Sequence, residues 1–147
     1  MCLSTYWRKA KVADHDIVCY KIVTRYRGMK RGTYKSYWMS YDYSLGEYYY
    51  ERLFVPDLIG CESESKTWIN GKPTFLCDYG FHSYSEMTGH SPESGCVFIK
   101  CVIPQGTRYY ESTQRSEYCS EKIRVIAQAK ITPAFDEDNV EWITEFN

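Results

Sequence analysis

Two apolar, β-branched runs late in the chain constrain the fold most. Gly95-Cys96-Val97-Phe98-Ile99-Lys100-Cys101-Val102-Ile103 and Ser116-Glu117-Tyr118-Cys119-Ser120-Glu121-Lys122-Ile123-Arg124-Val125-Ile126 flank Pro104-Gln105-Gly106 and a polar linker. Runs of this kind, bounded by proline and glycine, read as buried strands with a structured connection. They predict a central hairpin on which the rest of the sheet is built. A chain of 147 residues makes one domain. Its 15 tyrosines favour strands and aromatic surfaces over a helical bundle. The expected class is therefore α+β and β-rich: a single compact domain, residues 1–147, with a central antiparallel or mixed sheet and one or two short helices. Residues 1–16 read as an N-terminal arm laid across the core, and residues 136–147 as an acidic C-terminal edge segment.

Further strands follow from the same rules. Residues 17–26 form a β-branched run expected to pair with the central stretch of residues 95–126, with Val18, Tyr20, Ile22 and Thr24 on one face and Cys19, Lys21, Val23 and Arg25 on the other. Between Tyr37 and Glu51 a strand, a tight turn at Gly46 and a short strand through Tyr48-Tyr49-Tyr50 are expected. Residues 53–70 read mainly as loop. Asn70-Gly71 between apolar residues signals a small hairpin. Proline at 133 ends the sheet, since it cannot donate to a ladder, and the alternation through 140–146 predicts an edge strand.

Charge is locally rather than globally uneven. The formal net charge is −1, so the chain lacks the field of a general nucleic-acid binder. Yet Lys21, Arg25, Arg27, Lys30, Arg31 and Lys35 follow one another without an acid, and the tail is acidic. The loop Arg27-Gly28-Met29-Lys30-Arg31-Gly32 reads either as a solvated turn or as an anion-binding loop, in which glycine admits a phosphate to the backbone and arginine grips it bidentately. Tyr34, Tyr37, Trp38, Tyr41 and Tyr43 come directly after, and aromatics interleaved with cations suit base stacking.

The segment Gly80-Phe81-His82-Ser83-Tyr84-Ser85 places glycine beside a dense row of hydrogen-bonding groups. It reads either as a site or as a core-anchoring turn with Phe81 buried and His82 satisfied by a backbone carbonyl; Ser83 or Ser85 could also cap a short helix through Glu86 and Met87. Seven cysteines show no CxxC spacing, and Cys96 and Cys101 fall on opposite faces of an extended strand. Neither a metal site nor a cofactor is expected. The start carries no signal-peptide pattern and no apolar run approaches a bilayer span, so a soluble, cytoplasmic protein with reduced thiols is expected.

Taken together, Asp16-Ile17-Val18-Cys19-Tyr20-Lys21, Tyr43-Ser44-Leu45-Gly46-Glu47-Tyr48-Tyr49, Tyr79-Gly80-Phe81-His82-Ser83-Tyr84, residues 99–110 and Tyr118-Cys119-Ser120-Glu121-Lys122-Ile123 resemble a family of small uncharacterised proteins from gut bacteria and their phages. The resemblance implies no particular reaction; if phage-encoded, the protein would act in the host cytoplasm. A weaker resemblance runs to the ADP-ribosyltransferase fold, whose first strand bears an arginine or histidine, whose middle strand begins Ser-Thr-Ser and whose late strand begins with a catalytic glutamate. The corresponding stretches are residues 20–25, Ser83-Tyr84-Ser85 and Ser120-Glu121-Lys122-Ile123. Here Lys122 stands immediately before the late strand, with Glu121 on the opposite face, and a lysine cannot hydrogen-bond a ribose hydroxyl and stabilise positive charge as a carboxylate does.

Three functional classes follow. The first is a non-enzymatic binding protein for a small anionic ligand, with a nucleotide as the leading candidate, such as a host nucleotide signal sequestered by a phage-type protein. Its expected ligand-binding residues are Tyr20, Lys21, Arg25, Arg27, Arg31, His82, Ser83, Tyr84 and Tyr109. The second is an ADP-ribosyltransferase-like enzyme with Glu121 or Glu117 as its acid. The third is a module whose tyrosines contact a host protein with little entropy to lose. No nucleophile with an evident base occurs, which ranks binding first. A membrane or a long nucleic acid is not an expected partner.

Overall fold

The computed structural model describes residues 10–36, 41–50, 59–60, 66–69, 72–75, 80–112 and 116–146. Its centre is the pairing of β2 (Ile17–Thr24) with β10 (Cys96–Ile103), in register along the full length of both, from Ile17 opposite Ile103 to Thr24 opposite Cys96. The odd-numbered residues Ile17, Cys19, Lys21 and Val23 are buried, and opposite them Ile103, Cys101, Ile99 and Val97 are buried too. Period-two alternation therefore holds, and the face with two cations is the one turned to the core.

On its other edge β10 pairs with β13 (Lys122–Ala129). Opposite the Lys100/Cys101 step β13 carries one extra residue, Ile126, because Lys100 faces Ala127 and Cys101 faces Val125. The bulge shifts the alternation by one. Val125 and Gln128 thereby fall on the same core-facing side, and the Gln128 amide oxygen accepts from the Tyr34 hydroxyl at 2.9 Å.

The predicted pair of central strands is thus present, but the segment between them does more than connect. It folds into β11 (Arg108–Ser112) and β12 (Glu117–Ser120), a hairpin that joins the sheet on the far side of β2. Residues 116–126, expected as one strand, break at Glu121 into β12 and the start of β13. Between β12 and β2 lies β9 (Phe81–Tyr84), where Tyr84 sits opposite Tyr20. The predicted pairing of the second strand with the first of the two apolar runs is thus present in β2 and β10, while β1 (Lys11–Val12) pairs with β11, and Ala13 exchanges backbone bonds with Gly106 and Thr107.

β3 (Thr33–Ser36) and β4 (Asp42–Ser44) extend from the end of β2, and the expected turn at Gly46, with φ of 87°, leads to β5 (Tyr48–Tyr50) on the edge of β13. The expected edge strand is β14 (Trp142–Ile143), on the same edge of β13 but at its other end. A separate three-stranded sheet holds β6 (Ile59–Gly60), β7 (Lys66–Ile69) and β8 (Lys72–Phe75); Ile69 pairs with Lys72, as the two-residue Asn-Gly loop predicts. The arm residues Tyr6 and Trp7, the aromatics Tyr37 and Trp38, the Asn70-Gly71 turn itself and most of the predicted loop 53–70 lie outside the described residues.

The α+β expectation is corrected by this architecture. All pairings are antiparallel, and among the described residues the helical content is one 3-10 turn, Glu137–Asn139. The helix expected through Glu86 and Met87 does not form: Phe81–Tyr84 are drawn into β9, and Ser85 N–H donates to the Ser116 carbonyl at 2.7 Å. Pairing on a sheet outcompetes a serine cap when no amphipathic stripe follows the cap. No helix among the described residues is long and apolar enough to cross a membrane.

Two layers of packing result. The inner layer gathers Cys19, Val23, Tyr34, Tyr43, Phe81, Ile99, Cys101, Ile123 and Val125. On the reverse face of β2 and β10 the C-terminal segment lies down, with Phe135 against Phe98 at 5.0 Å and Trp142 against Tyr20 at 5.9 Å between ring centres. Lys100 Nζ stands 4.5 Å over the Trp142 ring.

Candidate functional site

The residues expected to hold a ligand occupy three different environments. Lys21, His82 and Ser83 are in the core. Lys21 is 6% exposed, its ammonium donates to the His82 carbonyl, and the Tyr43 ring centre is 5.7 Å away. Burial lowers its pKa from the ordinary lysine value, against the opposing pull of the thiols of Cys101, Cys19 and Cys119. Burial likewise pushes the Cys19 thiol up to about 11, tempered by its contact with the Ser83 hydroxyl. A group enclosed in this way serves packing rather than capture of a solute.

Arg25 braces the turn that follows β2. Its Nη2 donates to the Met29 carbonyl at 2.9 Å and its backbone N–H to Gly95 at 2.7 Å. Arg27 and Arg31 are exposed in the loop beyond, where Gly28 and Gly32 have φ of 94° and 78°. A Cβ at Gly32 would also meet Phe146 at 3.3 Å, so this glycine is required on two counts.

Tyr20 and Tyr84 face one another across strands, and Tyr84 stacks on His90 at 3.7 Å. Tyr109 is on β11, separated from β9 by β12, and meets Tyr118 edge-on at 5.9 Å. Glu117 is buried on β12 opposite Tyr84. A surface cleft of about 410 Å³ is lined by Gly89, His90, Ser91, Phe135 and the acids Asp136, Glu137 and Asp138; none of the expected ligand-binding residues lines it.

Glu121 is engaged on both oxygens. Oε1 accepts from the Arg108 backbone N–H at 3.2 Å and Oε2 from Arg108 Nε at 2.8 Å, with Nη2 2.7 Å from the same oxygen. This fork raises the arginine pKa and pins the β12–β13 bend to the start of β11.

Among the described residues a further grouping of cations and rings lies where the expectations did not point, on the solvent face of β5 and β13. Register sets Tyr48 opposite Arg124, Tyr49 opposite Ile123 and Tyr50 opposite Lys122. Alternation sends Tyr49 and Ile123 inward, where Tyr49 packs on Tyr43 at 5.0 Å and Ile123 is fully buried. Tyr48 and Tyr50 point outward, 54% and 55% exposed. Lys122 Nζ stands 4.7 Å and Arg124 Cζ 5.0 Å from the Tyr48 ring centre, and Tyr50 reaches the Arg108 guanidinium through its hydroxyl.

Cations and rings thus alternate in a row: Arg124, Tyr48, Lys122, Tyr50, Arg108. Among the described residues no carboxylate pairs with Lys122 or Arg124. The Ser44–Glu47 turn connects this face to the cationic loop, since Leu45 N–H donates to Gly32 at 2.7 Å while Arg124 Nε donates to Gly46 at 3.3 Å. The signal for the row was present in the sequence as two cations two apart and two tyrosines two apart; what was missing was the register that superimposes them.

Among the described residues no three of His, Cys, Asp and Glu are grouped as metal ligands would be. Comparison with protein families, curated proteins and solved structures finds no match to this chain.

Proposed function

We propose that the protein is a non-enzymatic binding protein for a small anionic ligand of the nucleotide class, and that the ligand meets the alternating row on β5 and β13. The observation that carries this is the double occupancy of Tyr48 by Lys122 and Arg124 beside the exposed ring of Tyr50. Exposed cation–π contacts are worth about 0.5–1 kcal/mol, whereas a charge-assisted hydrogen bond contributes about 1.5–3 kcal/mol. A phosphate can therefore draw Lys122 and Arg124 off the ring, and the freed ring face can take a base. The Arg108 guanidinium is held by Glu121 Oε2 through both Nε and Nη2 and is less available.

The exposed cations Arg27, Lys30 and Arg31, joined through the same turn, would raise the local positive potential and speed capture. In a phage-type setting, such a protein would sequester a host nucleotide signal. The engagement of Glu121 by Arg108 favours binding over an ADP-ribosyltransferase-type reaction, which needs a carboxylate free to meet the ribose.

Titration calorimetry with nucleotides and the matching nucleosides at low and moderate salt tests this. Heat from nucleotides that weakens as salt rises, with none from nucleosides, is the expected result; equal binding of both would remove the anion from the account.

A further inference from the structure

Resting on that reading, we propose that the preferred ligand carries two successive nucleotide units, as in a dinucleotide or short single strand, laid along β13 rather than a mononucleotide bound end-on. The ladder presents each recognition element twice. Lys122 and Arg124 are two residues apart on one strand and Tyr50 and Tyr48 two apart on its partner, with all four on the same face. Residues so placed repeat at about 6.6 Å, set by the strand rise. A single strand of nucleic acid likewise repeats an anionic group and a flat ring once per unit, with spacing of the same order.

Shape points the same way. A mononucleotide gains its affinity by burial in a concave pocket. The row stands on a sheet face, with β5 on one side of β13 and β10 on the other at Arg124, and none of its residues lines the acidic cleft beside His90. On a sheet face, affinity comes from joining weak contacts in one molecule, where the second contact forms at high effective concentration. Stacking on tyrosine reads no base edge, so the preference is for length and charge over sequence. Among the described residues the double repeat ends with Tyr50 and Lys122, so affinity rises from one unit to two and then levels off.

The test is fluorescence anisotropy competition on the full chain with pT, pTpT and (pT)4, and with pU and pUpU to separate deoxyribose from ribose ligands. The expected result is that a dinucleotide of at least one sugar type binds at least tenfold more tightly than its mononucleotide, with (pT)4 within about threefold of pTpT. Lys122→Ala and Arg124→Ala should each weaken dinucleotide binding and reduce the slope of log affinity against log salt by about 0.7. Melting temperatures of both variants, and of Lys122→Gln, establish that the fold is intact. Equal affinity for one and two units overturns the two-unit inference and leaves anion binding standing. No binding of any nucleotide overturns both, and dinucleotide binding indifferent to both alanine variants assigns the ligand to another face and overturns the inference.

Discussion

Arg108 and Glu121 close a two-way clasp: the carboxylate accepts from the arginine side chain and backbone, while Glu121 N–H donates back to the Arg108 carbonyl at 3.1 Å. The clasp fixes the bend where β12 gives way to β13, and so sets the position of Lys122 and Arg124. Glu121→Gln presents an amide to a guanidinium and loses the charge. Because Arg108 is 42% exposed and partly screened, the expected cost is moderate, about 1–2 kcal/mol by urea denaturation. An unchanged midpoint would mean that the clasp does not hold the bend.

Lys21 is a core residue with a lowered pKa, and the sign of its pH effect follows. The unfolded chain keeps the proton up to the ordinary value of 10.5. The folded chain releases it at lower pH, so stability due to this group rises with pH across that window and is lowest below it. Lys21→Met should therefore be more stable than wild type at pH 7, by about 1–2 kcal/mol, with the gap narrowing towards pH 10. A variant less stable at every pH would show that the ammonium–His82 bond outweighs the burial cost.

The Tyr34 hydroxyl is held by Gln128 and pushed up to about 12, chiefly by burial. Its folded value lies above the ordinary 10.0, so its contribution is intact below pH 10 and is lost as pH rises towards 12. Tyr34→Phe leaves the buried Gln128 oxygen without this donor and should cost about 1–3 kcal/mol at neutral pH. Ultraviolet titration should show a smaller late-ionising amplitude in Tyr34→Phe than in the wild type; an unchanged late amplitude would assign that ionisation elsewhere.

Much of the sheet was legible because period two is a strong signal. The faces of β2, the turn at Gly46, the Asn-Gly hairpin and the C-terminal edge strand follow from local residues alone. Alternation does not say which face is buried. Lys21 and Arg25 put two cations on the odd face of β2, yet the register with Cys101 and Ile99 turns that face to the core. Ser83 and Ser85 offered helix caps, yet pairing with β12 took the backbone first. The row on β5 and β13 depends on strands more than seventy positions apart in sequence, joined through a register that no local pattern specifies.

The most direct test is a thermal-shift titration of wild type and of a Lys122→Ala/Arg124→Ala double variant against a nucleotide panel. Both side chains are partly exposed, so the unliganded melting temperatures should agree within a few degrees. The wild type should melt higher as a bound nucleotide is added, by an increment growing with the logarithm of its concentration, and the double variant should not respond. A wild type that no nucleotide shifts, or a double variant that shifts equally, would contradict the assignment of anion binding to this face.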